Sequence, residues 1–175
     1  MTRRPIVPMD PVVYEPLTLS SVAEVAAALD DERVYRFIGG RPSRRLVEDR
    51  LATALQGPPP DAHGQTWLNF VARDAASRSV LGRLEATLHD GIAEVAFLYA
   101  PRSWGRGLAT DGLRWLHGEL RSRSVTALWA TTDPENTASA GSLTRCGYRR
   151  VASDRRPLLH SFDEGDLVFT ATNEG

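Results

Sequence analysis

The spacing of apolar and polar positions changes along this chain, and each change predicts an element. Residues 12–17 (Val-Val-Tyr-Glu-Pro-Leu) form a short extended run. Over residues 19–29, Leu19, Val22, Ala26 and Leu29 recur at helical spacing, with Ser20 or Ser21 placed to cap the start. A second helical stretch, over 43–55, carries Leu46, Val47, Leu51 and Leu55 on one side. Gly57-Pro58-Pro59-Pro60 stops it, because proline lacks the donor the next turn needs. From there the period becomes 2. Residues 66–73, 80–89 and 92–99 read as strands, the last two joined by Asp90-Gly91, a two-residue turn whose positions both want positive φ. A helix over 107–120 turns Leu108, Leu113, Leu116 and Leu120 inward. A strand at 125–132 follows, then a short helix at 138–146 stopped by Gly147, and strands at 148–152 and 166–170. The order predicts an α/β (α+β) fold: a mixed, mostly antiparallel central sheet of six to seven strands flanked by about four helices.

The Asp90-Gly91 turn also predicts a register. His89 should oppose Ile92, Thr87 Glu94, and Glu85 Ala96, which places Arg83, Glu85, Thr87, His89 and Glu94 on one face. The other face holds Leu84, Ala86, Leu88, Ala93, Val95, Phe97 and Tyr99 and reads as core. The polar face reads either as a wet cleft or as a solvated surface with ordinary pairs, Arg83 with Glu85 or with Glu94.

Composition narrows the function classes. The length of 175 residues fits one domain, with residues 1–11 expected as a loosely ordered arm. All 21 basic side chains are arginine, and 22 acidic ones leave a net charge of −1, which argues against a nucleic-acid binder. No apolar run approaches the roughly 20 residues of a membrane span, and the start lacks a signal-peptide core. The single cysteine, Cys146, leaves no disulfide framework. A cytoplasmic protein is expected. His63, His89, His117 and His160 show no metal-site spacing, so no metal is expected. Trp67, Trp104, Trp115 and Trp129 are too dispersed to stack a single-stranded nucleic acid.

The most informative run is Arg102-Ser103-Trp104-Gly105-Arg106-Gly107-Leu108-Ala109-Thr110, between an apolar strand and an amphipathic helix. Two glycines one residue apart let the backbone turn and present its N–H groups, and the helix adds its unpaired first-turn amides and positive dipole end. That is a seat for a phosphate or pyrophosphate; the competing reading is a tight connection with no ligand. A dinucleotide fold would want glycine or alanine where Thr110 stands, and a Walker loop would want Gly-Lys-Ser/Thr.

Glu94-Val95-Ala96-Phe97-Leu98-Tyr99-Ala100-Pro101, followed by Arg102-x-x-Gly105-x-Gly107-Leu108-Ala109-Thr110, resembles the acetyl-CoA motif of the GNAT superfamily of N-acetyltransferases. Pro134-Glu135-Asn136-Thr137-Ala138-Ser139, then Leu143, Arg145, Gly147 and Tyr148, is similar to the signature of its RimJ/RimL-like branch, as is the stretch from Val34 to Gly39. The likeness covers residues 17–170.

The resemblance implies acetyl transfer from acetyl-CoA to a primary amine by direct attack in a ternary complex. It implies that residues 105–110, with Arg102, hold the pyrophosphate. The pantetheine arm would pair with the backbone of Phe97, Leu98 and Tyr99, and Asn136 and Ser139 would lie near its amides. For the base that strips a proton from the amine, Glu94 is first choice, with a pKa raised by partial desolvation; Glu85 is second and His89 third. Where many members of the superfamily carry an acid tyrosine, this chain has Leu143, which leaves Ser139 or Ser142 for the thiolate.

Several residues have a second reading. Asn136 also caps the short helix. Cys146 reads as a small buried side chain rather than an acyl carrier, and His117 as a surface residue. Trp104 either covers the cofactor or packs in the core. Arg33, Arg36, Arg41, Arg44 and Arg45 suggest an acidic acceptor or a solvated helix face. The acceptor is otherwise open (a protein N-terminus or a small-molecule amine), and a homodimer is compatible with the reading. The rival from another class is a degenerate acyl-CoA-binding module that senses without transferring.

Overall fold

A computed structural model describes residues 11–173, so the N-terminal arm lies, but for Pro11, outside the described residues. Seven strands form one sheet in the order β1-β2-β3-β4-β5-β7-β6. They are β1 (Val12–Pro16), β2 (Thr66–Asp74), β3 (Val80–His89), β4 (Ile92–Tyr99), β5 (Ala127–Thr132), β6 (Arg149–Val151) and β7 (Leu167–Thr172). The helices are α1 (Val22–Ala28), α2 (Arg44–Leu55), α3 (Leu108–Arg121) and α4 (Thr137–Arg145). Among the described residues only β4 and β5 run parallel; the other neighbours are antiparallel. The fold class read from the sequence is the one observed, and among the described residues no helix is long and apolar enough to cross a membrane.

Two cores lie on opposite faces of the sheet, as alternation along β2 requires: Phe70 and Ala72 belong to one and Val71 to the other. The first core packs Leu108, Leu113, Leu116 and Leu120 of α3 and Leu143 of α4 against Leu84, Ala93, Val95 and Leu128. The second packs Val22, Val25 and Ala26 of α1 and Val47 and Leu51 of α2 over Val71, Val80 and Ala100. Gly112 lets α3 come this close, since a Cβ there would collide with the Tyr99 hydroxyl and Leu84.

The hairpin is as counted. His89 pairs with Ile92, Thr87 with Glu94 and Glu85 with Ala96, and Asp90 and Gly91 both take positive φ (+48° and +79°).

Helix edges differ from the sequence reading. The first helical stretch opens with a 3-10 turn, Leu19–Ser21, and leaves Leu19 solvent-exposed; α1 proper starts at Val22. Leu46 and Leu55 are exposed too, so α2 buries a narrower stripe than its leucines suggest. Ser43 caps α2 through Leu46 N–H at 3.2 Å.

Candidate active site

Strands β4 and β5 pair only through Ile92–Ala127, Ala93–Leu128 and Glu94–Trp129, and then part. Beyond Glu94 one edge of β4 therefore has no strand beside it. In an antiparallel ladder, mutually bonded pairs alternate with unbonded ones. The bond from Ala100 N–H to Leu81 O (2.9 Å) fixes the phase, so Leu98 spends its main-chain groups on β3 and its side chain packs toward the α1/α2 core. The Glu94–Trp129 bridge still takes the Val95 N–H, while Phe97 and Tyr99 aim their main-chain groups into the opening. The Tyr99 carbonyl accepts from Trp104 Nε1 at 2.7 Å. Trp104 is thus neither core nor loose: its ring is half in solvent while its indole N–H caps the end of β4.

The chain next makes a 3-10 turn, Pro101–Ser103, and enters α3 through two left-handed glycines, Gly105 (φ +71°) and Gly107 (φ +78°). No side chain caps α3. Among the described residues the amides of Gly105, Gly107, Leu108, Ala109 and Thr110 donate to nothing; the first one used is Asp111 N–H, to Gly107 O at 3.0 Å. A Cβ on either glycine would meet no atom within 4 Å, so the hollow is open. Concave, unpartnered amides at the positive end of a 14-residue helix fit an anionic phosphate group.

Side chains around the bend brace it. Arg102 donates to the Val80 carbonyl and so ties the bend to β3. Thr110 Oγ1 accepts from Arg145 Nε (3.3 Å), and Cys146 Sγ donates to the Thr110 carbonyl (3.4 Å), which couples α3 to α4. Burial pushes the Cys146 thiol up, away from the thiolate an acyl carrier needs. Asn136 caps α4 by accepting from Ser139 N–H (3.1 Å). That leaves its Nδ2 and the Ser139 hydroxyl without a hydrogen-bond partner among the described residues.

At the other end of β4 the Glu94 carboxylate is nearly sealed, 5% exposed. Oε1 accepts from His89 Nε2 (2.6 Å) and His160 N–H (2.8 Å); Oε2 accepts from Ser161 N–H (2.9 Å) and the Ser161 hydroxyl (2.6 Å). The expectation of a raised pKa is corrected here. Burial alone pushes the carboxyl up, but the Ser161 hydroxyl, the two backbone amides and His89 outweigh it and hold Glu94 below its ordinary value. Both Ser161 and His160 come from the connection 156–166, which Thr131 also binds through the Ser161 carbonyl at 2.8 Å. His89, Glu94 and His160 thus meet in space although their spacing in the chain gave no such signal.

The rest of this face is less enclosed. Glu85, 41% exposed at its side chain, is ion-paired with Arg83, the first of the two pairings expected. Asn69 and Trp67 of β2 stand beside Glu85 and Thr87 on the same face. The arginines of the 33–45 region are not free cations: Arg33 pairs with Asp31, Arg41 with Asp30, Arg44 with Glu48 and Arg45 with Asp49, while Arg36 lies over the Phe37 ring. Such exposed pairs are what a solvated face would show. His117 is half-buried rather than freely solvated: its Nε2 bonds the Tyr148 hydroxyl at 3.0 Å, and burial pulls its pKa down to about 4.

The pattern of the acetyltransferase (GNAT) domain matches residues 12–149. This chain belongs to the GNAT acetyltransferase family. It is therefore a GNAT N-acetyltransferase by descent, with the fold to match. A GNAT-family acetyltransferase from Bacillus anthracis superposes with a TM-score of 0.72 at 16% identity, covering 94% of this chain and 96% of the other. Aminoglycoside acetyltransferase AAC(6')-Ib in complex with coenzyme A gives 0.72 at 18% identity, over 93% and 95%. The Vibrio cholerae spermidine N-acetyltransferase in complex with CoA and spermine gives 0.68 at 15%, over 93% and 95%. No curated protein matches the chain in sequence. In this GNAT protein, the parted β4 edge and the uncapped start of α3 are contiguous.

Proposed function

We propose that the protein transfers the acetyl group of acetyl-CoA to a primary amine by direct attack within a ternary complex, as a cytoplasmic member of the RimJ/RimL-like branch. One observation supports the reading: a strand edge without a neighbouring strand, Phe97 to Tyr99, leads directly into a helix start where five amides have no partner among the described residues. The amides of 105–110 hold the diphosphate, Phe97 and Tyr99 align the pantetheine by strand-like pairing, and Asn136 Nδ2 with Ser139 lines the opposite wall. Arg102 serves by bracing the bend, and Leu98 by packing beneath the strand. When bound, acetyl-CoA supplies an activated acyl carbon, and a thiol pKa near 8.5 makes its sulfur an easy leaving group. Complexes of two structural neighbours with CoA, one of them also with spermine, support this choice of ligands.

Glu85, rather than Glu94, receives the amine's proton in this reading. Its carboxylate faces the cleft opposite Ala96, one strand from the opening, and is accessible to water. Glu94 has four donors on two oxygens and positions the 156–166 connection over the cleft instead. Ser139 protonates the departing sulfur in this reading. The test is thiol release from acetyl-CoA over a panel of amines, for wild type, Glu85→Gln and Glu94→Gln. A loss of kcat of roughly a hundredfold in Glu85→Gln with unchanged CoA affinity is expected. Full activity in that variant would reject the base assignment, and CoA binding without turnover on any amine would favour a sensor.

A further inference from the structure

We propose that His89, Glu94 and His160 form a binding site for one divalent transition-metal ion of the zinc class, which staples the 156–166 connection to the tip of the β3–β4 hairpin. One ligand atom from each residue lies within 4.8 Å of the other two. The His89 and His160 rings meet edge to face, with centroids 4.7 Å apart at 72°. Two imidazoles and a carboxylate are a donor set for Zn²⁺, Co²⁺ or Ni²⁺ and a poor one for Mg²⁺ or Ca²⁺, which prefer oxygen.

The surroundings are those of a prepared site. His89 Nδ1 lies 3.2 Å from Asp90 Oδ2, leaving Nε2 to face Glu94. A carboxylate behind a ligating histidine fixes the ring and raises its basicity toward a metal. Glu94 Oε2 is held by Ser161, so Oε1 is the oxygen that offers itself. His89 and Glu94 side chains are 4% and 5% exposed, whereas His160 is exposed, with its Nε2 3.1 Å from Gln65 Nε2, a contact that a metal bound at that nitrogen replaces. Solvent reaches the site on the His160 side and supplies a fourth ligand.

The step balances simply. The ion takes the place of the proton now shared between His89 Nε2 and Glu94 Oε1, and that proton leaves to solvent. Metal–ligand bonds near 2.1 Å need the nitrogen and oxygen about 3.4 Å apart at a tetrahedral angle. The present 2.6 Å separation must therefore open slightly. The Ser161 bonds to Oε2 need not break. Glu94 in the site and Asp90 behind the His89 ring together favour a dication over the bare pair of rings.

The experiment uses the full chain after chelator treatment and dialysis. Co²⁺ is titrated while visible absorption is read, and Zn²⁺ and Mg²⁺ are then added as competitors. One Co²⁺ per chain with the d–d bands of four- or five-coordination, displaced by Zn²⁺ but not by equimolar Mg²⁺, is expected. His160→Ala, at an exposed position that leaves the fold intact, should weaken binding at least a hundredfold, and Asp90→Asn about tenfold. His63→Ala should change nothing. Absence of a stoichiometric band, displacement by equimolar Mg²⁺, or an unchanged affinity in His160→Ala would overturn the proposal. None of these readouts depends on acetyl transfer, so the outcome is separate from that of the functional reading.

Discussion

The two ends of β4 are built on opposite principles. At the Tyr99 end the chain supplies main-chain donors, and those of Gly105, Gly107, Leu108, Ala109 and Thr110 have no partner among the described residues. At the Glu94 end it supplies a charged side chain and fills every acceptor site it has. An open array of amides costs little while water satisfies it, and it is ready for an anion that arrives with its own charge. A buried carboxylate is tolerated only when fully bonded, and once fully bonded it is an anchor rather than a free base. A place beside the opening therefore does not by itself make a carboxylate a free base.

The largest effect should come from breaking the filled end. Glu94→Ala strands His89 and the Ser161 and His160 donors, and a stability loss of about 2–4 kcal/mol in chemical denaturation is expected. A variant that kept its stability but lost its chemistry would restore Glu94 as the base. At the empty end, Gly107→Ala places a Cβ on a residue at φ +78°, at a cost of about 1–2 kcal/mol. CoA affinity measured by calorimetry should fall about tenfold or more, since each factor of ten is about 1.4 kcal/mol.

A third perturbation lies away from both ends. His117 titrates near 6.5 when unfolded and is held down to about 4 when folded, chiefly by burial. Above pH 6.5 it contributes no pH dependence. As pH falls from 6.5 toward 4 the unfolded chain takes the proton first, so stability drops, by about 1–2 kcal/mol once partial exposure is discounted. His117→Gln should flatten that part of the profile in pH-dependent melts; an unchanged slope would assign it elsewhere. The smallest change is expected from Asn136→Ala, about 1 kcal/mol from the lost cap. A severalfold rise in the KM for acetyl-CoA should accompany it, and a stability loss alone would leave Asn136 as a cap only.

The empty end was legible in the sequence because its information is local. Glycines at 105 and 107 announce the bend, and Asp90-Gly91 sets the hairpin register that puts Glu85 and Glu94 on one face. The filled end was not legible. His89 was on the face read from the hairpin, but the other three donors to Glu94 come from 66 and 67 residues downstream in an aperiodic connection, and no spacing rule joins them to β4. His117 was misread for the same reason, since Tyr148 reaches it from beyond α4. Leu46 and Leu55 show the converse: helical spacing marks a face, while the width of that face actually buried depends on what packs there.

The central claim is that the main-chain amides of residues 105–110 grip a diphosphate. It is tested most directly by following the amide resonances of ¹⁵N-labelled protein as coenzyme A is added. Large, saturable shifts at Gly105, Gly107, Leu108, Ala109 and Thr110 are expected, with Ser161 little changed. Saturation of coenzyme A binding with those five resonances unmoved would contradict the account.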